Sequence, residues 1–241
     1  MRPDTRDLSE QIAADVRALI MAGLLAPGAE LPSVPKAAAQ RGVSTTAIQN
    51  AWKILKAEGY LVSRTGKGVY VRERDTFVVD AAAYYDPAAR SVKYRMLDVR
   101  EVEPPADVAV ALGEDRAVLR HRMTVRLPDD VPVELSWSYY PLSLVAGTPL
   151  TQRGKIPGGA PKVLAELGHP ERAFTDRLST RPPTKEESEG LNMPNGVPVL
   201  RQFRTVFSDH DRPIEVSIIV KPGHLYELTY HQAVGVTDGS S

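Results

Sequence analysis

The sequence predicts an α+β protein with a small helical first domain and a larger second domain built on an antiparallel sheet. One observation is a pair of short helical segments around a glycine, followed by two β-rich runs, between residues 31 and 71. The other is an internal repeat in the second half, in which each copy has the pattern of strand, turn and strand. We therefore expect a first domain over residues 1–72, a linker over 73–94, and a second domain over 95–241 built from two similar halves.

The composition allows two cores and excludes several kinds of site. With 241 residues, 42% of them hydrophobic, the chain can bury enough apolar surface for two domains. It has no cysteine, which excludes disulfides and thiolate metal sites, and its five histidines lack metal-ligand spacing. No cofactor is expected. The charged N-terminus and the lack of a long apolar run predict a cytoplasmic protein without a signal peptide or a membrane span.

The first helical segment covers residues 8–25 and is expected to end at Gly23 and the following Pro27-Gly28. Its apolar residues recur at helical spacing and predict one buried stripe: Ile12, Val16, Leu19, Ile20 and Leu24. The next two helices are too short to bury enough surface alone. We therefore expect this segment to complete their core.

The next two helices form a predicted helix-turn-helix around Gly42. Ser33 is placed to cap the first of them, and Gly42 ends it and permits a tight turn. Ser44 is placed to cap the second, over residues 45–58. In this second helix one face is expected to be buried: Ile48, Ala51, Trp52 and Leu55.

The opposite face of the second helix suits double-stranded DNA. Hydroxyls and amides near its start can reach base edges, and the lysines that follow suit phosphates: Thr45, Thr46, Gln49, Asn50, Lys53 and Lys56. Two β-rich runs, residues 60–63 and 69–71, predict a hairpin about the basic loop 64–68, which would be the wing of a winged helix-turn-helix. The candidate DNA-contacting residues are Ser33, Lys36, Ser44, Thr45, Thr46, Gln49, Asn50, Lys53, Arg64, Gly66, Lys67 and Gly68.

Local charge supports this interpretation. Between residues 32 and 72, seven cations oppose one anion, Glu58, in a chain whose total charge is zero. We call these cations the basic patch: Lys36, Arg41, Lys53, Lys56, Arg64, Lys67 and Arg72. The alternative is an ordinary solvated face of a small helical domain. The wing and the basic patch together favour DNA, because such a patch releases counterions from the duplex.

Residues 8–71 resemble the DNA-binding domain of the GntR family of bacterial transcription regulators. The resemblance is carried by Gln11-Ile12, Gly23, Pro27-Gly28, Leu31-Pro32-Ser33, Arg41-Gly42-Val43-Ser44, Leu55, Glu58-Gly59 and Gly66-Lys67-Gly68. The sequence departs from the family at Pro35, Thr45 and Gln49, where arginines that contact DNA are usual. This departure implies a different operator sequence or weaker phosphate anchoring. A degenerate domain that has lost DNA binding is the alternative, and the basic patch argues against it.

The internal repeat aligns residues 118–136 with 199–217, without gaps, and nine of the 19 positions are identical. Alternation and a three-residue loop after Leu127 predict a register in which Thr124 faces Glu134 and Arg122 faces Ser136. These side chains, together with Arg120, form what we call the polar stripe. Helical stretches near residues 105–112, 162–167 and 184–191 are expected on one side of the sheet.

The polar stripe has two interpretations. It is either the solvent face of a half-buried sheet, or part of a pocket between the two halves. The repetition favours the pocket, because a pseudo-twofold would bring Glu134 and its counterpart Glu215 toward one cleft. Arginine in that cleft would bind a phosphate or a carboxylate.

Residues 94–230 resemble the UTRA domain of the HutC subfamily of GntR regulators, which has a chorismate-lyase-like fold. The matching runs are Leu119-Arg120-His121-Arg122, Pro132-Val133-Glu134-Leu135-Ser136, Thr184-Lys185-Glu186-Glu187, Val199-Leu200 and Pro213-Ile214-Glu215-Val216-Ser217. The resemblance implies a bound small anionic effector, with these candidate contacts: Arg120, Arg122, Glu134, Ser136, Gly159 and Glu215. Residues 155–161 lack the hydroxyl often found there, which leaves backbone N–H groups at the helix start to bind a phosphate.

Together these features predict a homodimeric transcription regulator, specifically a repressor. Its binding to a near-palindromic operator would be modulated by a small anionic metabolite held in the second domain. The alternative is a constitutive DNA-binding protein whose second domain only dimerises. An enzyme is not expected, because no nucleophile has a partner and Gly66-Lys67-Gly68 is not a P-loop.

Overall fold

The computed structural model describes residues 4–73, 77–80, 92–127, 129–194 and 196–229, and for 77–80 the backbone only. It forms two compact units, Met1–Thr76 with Met193–Val197, and Phe77–Asn192 with Pro198–Ser241. Most of the predicted linker, residues 73–94, lies outside the described residues.

The first unit contains three helices and a hairpin: α1 (Leu8–Met21), α2 (Val34–Arg41), α3 (Thr45–Ala57), β1 (Leu61–Arg64) and β2 (Gly68–Val71). Their apolar faces share one core, to which α1 contributes Ile12 and Val16. Helix α1 ends at Met21, and Gly23 follows its C-cap with φ +74°, as predicted, but the predicted buried stripe extends too far. Leu24 lies beyond the helix, 74% exposed, and Leu19 is 36% exposed.

The helix caps follow the sequence at Ser44 but not at Ser33. Ser44 precedes α3, and its hydroxyl accepts a hydrogen bond from the Ala47 N–H (3.2 Å), as predicted. Ser33 precedes α2, but its side chain makes no capping bond. Pro35 in the first turn of α2 fits there without cost, because that N–H has no helical partner. Capping by the Ser33 side chain is therefore a wrong prediction.

The wing is an antiparallel hairpin in which Arg64 pairs with Gly68, so its loop is residues 65–67. The preceding segment makes an isolated antiparallel bridge to β2, between Glu30 and Tyr70. The Leu31 N–H donates to the Val69 carbonyl (2.8 Å) and the Val71 N–H to the Ala29 carbonyl (2.9 Å). These bonds attach the wing to the helical core.

The second unit is a six-stranded antiparallel sheet with helices and one extra strand pair. Its elements are β3 (Phe77–Asp80), β4 (Val92–Val102), α4 (Ala106–Leu112), β5 (Ala117–Arg126), β6 (Val131–Pro141), α5 (Leu142–Val145), α6 (Gly159–Glu166), β7 (Ala173–Arg181), α7 (Lys185–Gly190), β8 (Val199–Phe207), β9 (Pro213–Pro222) and β10 (Tyr226–Thr229). The sheet order is β4-β5-β6-β9-β8-β7, and β3 pairs with β10 in parallel. Strand β3 lies in the segment predicted as a linker.

The two halves of the sheet are related by a pseudo-twofold axis. The strand order is symmetric about the β6–β9 pair, where Trp137 faces Ile218. These two positions are 81 residues apart, the same offset as the sequence repeat. The axis therefore passes near this residue pair, as the repeat predicts.

Helices cover both faces of the sheet, which corrects the expectation of helices on one side. Helix α4 packs in a cluster with Leu119 and Tyr139. Helix α6 packs in a second cluster with Val118 and Tyr140, which point the opposite way along the same strands. The pseudo-equivalent helix α7 lies near Leu135, on the α4 side. The segment between the halves, with α5 and α6, therefore covers the other face.

The predicted register of the first hairpin is correct. Thr124 faces Glu134 and Arg122 faces Ser136, as expected. The loop is longer than predicted, because Arg126 rather than Leu127 pairs with Val131, and a bulge near Thr124 restores the register. In the second hairpin Arg204 faces Ser217 and Val206 faces Glu215. Strand β8 is thus displaced by one residue from the ungapped alignment.

Candidate functional sites

The polar face of α3 is exposed, opposite a fully buried stripe. Ile48, Ala51 and Leu55 are each 0% exposed and Trp52 is 4% exposed, which confirms the predicted core face. The exposed side chains are those named as candidate DNA contacts on this helix: Thr45, Thr46, Gln49, Asn50 and Lys53. Lys56 is half-buried.

The basic patch keeps nearly all of its charge unpaired. Within the described residues, an ion pair joins Arg41 to Asp15 (3.4 Å), and the other six cations have none. The single anion of the patch, Glu58, is 5% exposed and is bound by Arg17 (2.6 Å). Its charge is therefore neutralised inside the domain, and the exposed surface is more positive than the sequence count suggests.

The tip of the wing is ordered by its own side chains. The Arg64 guanidinium lies 4.5 Å from the centre of the Tyr70 ring, and the Tyr70 hydroxyl donates to the Lys67 carbonyl (2.9 Å). Gly66 has φ +71° and Gly68 φ +117°, which favour glycine. Arg64 and Lys67 remain exposed, so a defined loop presents two cations.

The polar stripe of the second unit is buried, which rejects the solvent-face interpretation. Arg120 is 4% exposed, Thr124 1%, Glu134 8% and Ser136 3%. Glu215 on β9 is 6% exposed and belongs to the same hydrogen-bonded cluster. Buried polar groups on this scale require partners, and those partners define what the site can do.

Arg120 is held by the loop that precedes α6. Its Nη1 donates to the carbonyls of Leu150 and Gln152 (2.8 Å each), and its Nη2 lies 3.4 Å from the carbonyl of Gly154. Burial lowers the pKa of its guanidinium, and so does the neighbouring Arg122. The guanidinium predicted to contact the effector is thus used to position this loop.

Arg122 is the arginine of the stripe with an unused donor. Its Nη2 donates to Ser138 Oγ (2.8 Å), which lies 2.6 Å from Ser217 Oγ, and Ser217 donates to Glu215 Oε1 (2.5 Å). Its Nε is buried and has no partner among the described residues, while the side chain as a whole is partly exposed. Burial lowers the pKa of Arg122, but Tyr140 and Glu215 raise it by more, so it stays charged.

Glu134 belongs to a second buried chain of polar groups. Thr124 Oγ1 donates to its Oε1 (3.2 Å), and Lys221 Nζ lies 3.0 Å from its Oε2. Lys221 also donates to Gln202 (3.1 Å), and Gln202 donates in turn to Asp176 (2.9 Å). Sequence reasoning missed Lys221, although the alternation of Glu215 and Ser217 continues to it along β9.

The displacement of β8 decides which arginine of that strand joins the buried chain of polar groups around Glu134. Arg201, the sequence counterpart of Arg120, points to the other face and pairs with Asp107 of α4 (3.2 Å). Arg204 takes the place equivalent to Arg122 and pairs with Asp176 (2.7 Å). The expected pairing of carboxylates on one face is present, but the guanidinium of the second half comes from a residue that the alignment did not indicate.

Gly159 begins α6, but its N–H donates to the Ile156 carbonyl (2.9 Å). The preceding Gly158 has φ +81°, and a side chain there would come within 2.6 Å of Lys162. A groove of about 480 Å³ lies elsewhere, on the α4 side of the sheet, beside Val110, Arg177 and Phe203. It is therefore not the predicted effector site.

The described residues contain neither a metal site nor a membrane-spanning helix. No three histidine, aspartate or glutamate side chains come together so as to hold a metal ion. No helix in this part of the chain is long and apolar enough to cross a membrane.

Comparison with known proteins agrees with this architecture. Residues 8–71 match the bacterial regulatory proteins of the gntR family, and residues 88–227 match the UTRA domain. The HTH-type transcriptional repressor NagR of Bacillus subtilis is 26% identical over 232 residues, covering 92% of this chain and 93% of NagR. An uncharacterized HTH-type transcriptional regulator of Streptomyces coelicolor is 26% identical over 251 residues, covering 95% of this chain and 92% of that protein.

A solved structure assigned to a GntR-family transcriptional regulator has a TM-score of 0.65 at 27% identity, covering 95% of this chain and 99% of that one. The relatives are transcriptional regulators and not enzymes. With a GntR helix-turn-helix domain and a UTRA domain in one polypeptide, the chain belongs to the GntR family of transcriptional regulators.

Proposed function

We propose that this regulator is a repressor of the HutC type. Two copies would bind a near-palindromic operator as a homodimer, each with α3 in a major groove and its wing near a minor groove. A small anionic metabolite bound in the UTRA domain would change operator affinity. Family membership gives DNA binding and a small-molecule effector in general terms, and NagR is a repressor by name.

One observation carries the DNA side of the proposal: α3 has an exposed polar face, and the cations of the basic patch other than Arg41 have no ion pair among the described residues. Lys36, Lys53 and Lys67 would contact phosphates, because they are exposed and have no ion pair among the described residues. Gln49 and Asn50 lie on the same exposed face and would contact base edges. Ser33, Ser44 and the wing glycines would contact the DNA backbone.

Arg122 carries the effector side. Its side chain is charged and partly exposed, and its buried Nε has no partner among the described residues, which suits a carboxylate or phosphate oxygen. Glu215 and Glu134 would accept bonds from hydroxyl or amine groups, with Ser136 beside them. Arg120 would act by positioning the loop over residues 150–154, which precedes α6 and Gly159.

The coupling required is modest. A metabolite that binds the weakly DNA-binding state 100-fold more tightly shifts the equilibrium by about 2.7 kcal/mol. Such a shift lowers operator affinity by at most about 100-fold and unfolds neither domain, so full release need not follow.

The test begins by selecting bound fragments from random duplex DNA with the full-length protein. Metabolites are then screened for release of the selected operator. Arg122→Ala should keep operator affinity and lose the response to the effector. A protein that retains its operator in every metabolite pool would instead be a constitutive DNA-binding protein whose UTRA domain only dimerises. Equal release of parent and Arg122→Ala would refute the assignment of the pocket.

A further inference from the structure

The exposed face of α3 begins with hydroxyls and amides and carries no guanidinium. Thr45, Thr46, Gln49 and Asn50 are exposed, and the first cation along the helix is Lys53. Lys53 follows Thr45 by eight positions, and the rise of a helix places it roughly 12 Å further along the axis. The N-terminal part of a recognition helix contacts base edges in helix-turn-helix docking. In this protein that part presents neutral polar side chains.

The packing of α3 fixes which side chains point outward. Ile48, Ala51 and Leu55 are each 0% exposed, so rotation of the helix would expose apolar surface. The Ser44 hydroxyl holds the first turn through the Ala47 N–H, and Arg17 holds Glu58 at the other end (2.6 Å). The outward direction of the amide pair is therefore set by the fold.

The nearby guanidiniums are committed elsewhere. Arg41, at the end of α2, pairs with Asp15, and Arg64 lies against the Tyr70 ring in the wing. Neither belongs to the helix that would enter the major groove. Guanine presents two acceptors in the major groove, N7 and O6, and a guanidinium can donate to both. Helix α3 has no guanidinium for this contact.

An amide side chain matches adenine instead. It offers one donor and one acceptor, and adenine presents its N7 acceptor and N6 amine in the major groove. A threonine methyl group packs against the methyl group of thymine. We infer that Gln49 and Asn50 recognise A·T base pairs in each half-site, with Thr45 or Thr46 against a thymine. This inference rests on the proposed operator binding and specifies its sequence preference.

The experiment uses the full-length protein and duplexes selected from random DNA. We expect A·T pairs at the central positions of each half-site. Replacing the preferred adenine by 7-deazaadenine removes the N7 acceptor and should weaken binding about tenfold. Gln49→Ala or Asn50→Ala should show the same loss with normal adenine and no further loss with the analogue. Gln49→Arg should move the preference at one position from adenine to guanine.

Lys53→Ala is the matched control, because it should weaken all duplexes alike and leave the base preference unchanged. The inference would be overturned by a preference for guanine at the central positions of the half-site that Gln49→Ala and Asn50→Ala leave unchanged. Equal binding of every sequence would also overturn it while leaving DNA binding intact. If no duplex binds even at low salt, the proposed function itself fails.

Discussion

Replacing Lys221 with methionine should destabilise the UTRA domain by about 4 kcal/mol. The substitution keeps the length of the side chain and removes the charge that lies 3.0 Å from Glu134 Oε2. Both side chains are buried, with 5% of Lys221 and 11% of Glu134 exposed. Breaking a buried pair by removing one partner costs about 3–5 kcal/mol, because the other charge is left uncompensated.

The structure places the expected value within that range. Glu134 keeps the hydroxyl of Thr124 and has slight access to water, which favours the lower end, about 3 kcal/mol. Lys221 also donates to Gln202 (3.1 Å). Loss of that buried hydrogen bond adds about 1 kcal/mol.

The two tryptophans allow each domain to be followed separately. Trp52 lies in the first core and Trp137 in the sheet, stacked on His121 at 4.5 Å. In a Trp52→Phe background, urea unfolding followed by fluorescence would report the sheet alone. Combining Lys221→Met with Glu134→Gln should recover about 2 kcal/mol, because no buried charge is then left unpaired. A loss below about 1 kcal/mol for Lys221→Met, or no recovery in the double variant, would show that this pair is solvated.

Three further outcomes are expected. Ser44→Ala should lower the stability of the first domain by about 1 kcal/mol in thermal unfolding, whereas Ser33→Ala, which removes no capping bond, should be nearly neutral. Although burial raises the pKa of Glu187, hydrogen bonds from Arg181 lower it further, to below its ordinary 4.5. The stabilisation, about 1 kcal/mol because the Arg181 side chain is 34% exposed although Glu187 is buried, should therefore be complete above pH 4.5 and lost as the pH falls below it; Glu187→Gln should remove this loss from a pH series. Lys53→Ala should reduce the slope of log binding constant against log salt concentration by about one. An unchanged slope would show that Lys53 does not contact a phosphate.

The first domain was largely predictable because its signals are local. Ser44 fixes a helix start, Gly42 fixes a turn, and the spacing of Ile48 and Leu55 fixes a buried face. Each of these signals acts within one or two helical turns. The errors also have local causes. Leu24 continues the apolar periodicity of α1, but the chain turns at Gly23, where φ is +74°, and carries it out of the core.

The hydrogen-bonded surroundings of the polar stripe were less predictable, because the partners of its side chains are distant in sequence. Arg120 is buried, as the pocket interpretation requires, yet its donors are bound by carbonyls of an irregular loop 30 to 34 residues away. Periodicity gives no information on such carbonyls. The register of β8 is set at its turn: Phe207 pairs with Pro213, whereas the repeat offset from Arg126 and Val131 would pair it with Arg212, so the second loop is one residue longer. Identical residues in the two repeats cannot reveal this difference. A displacement of one residue moves every side chain of the strand to the opposite face.

That displacement makes the buried polar groups of the two halves unequal. A strict repeat would have placed Arg201 opposite Arg120, and the cluster would hold two similar guanidinium and carboxylate sets. Instead Arg204 is neutralised by Asp176 at 2.7 Å, and Glu134 is neutralised by Lys221. Arg122 faces Glu215 only through two serines and keeps its Nε without a partner among the described residues. Under the proposed function, an anion would therefore bind on the Arg122 side of the pseudo-twofold axis, so that one UTRA domain would bind one effector.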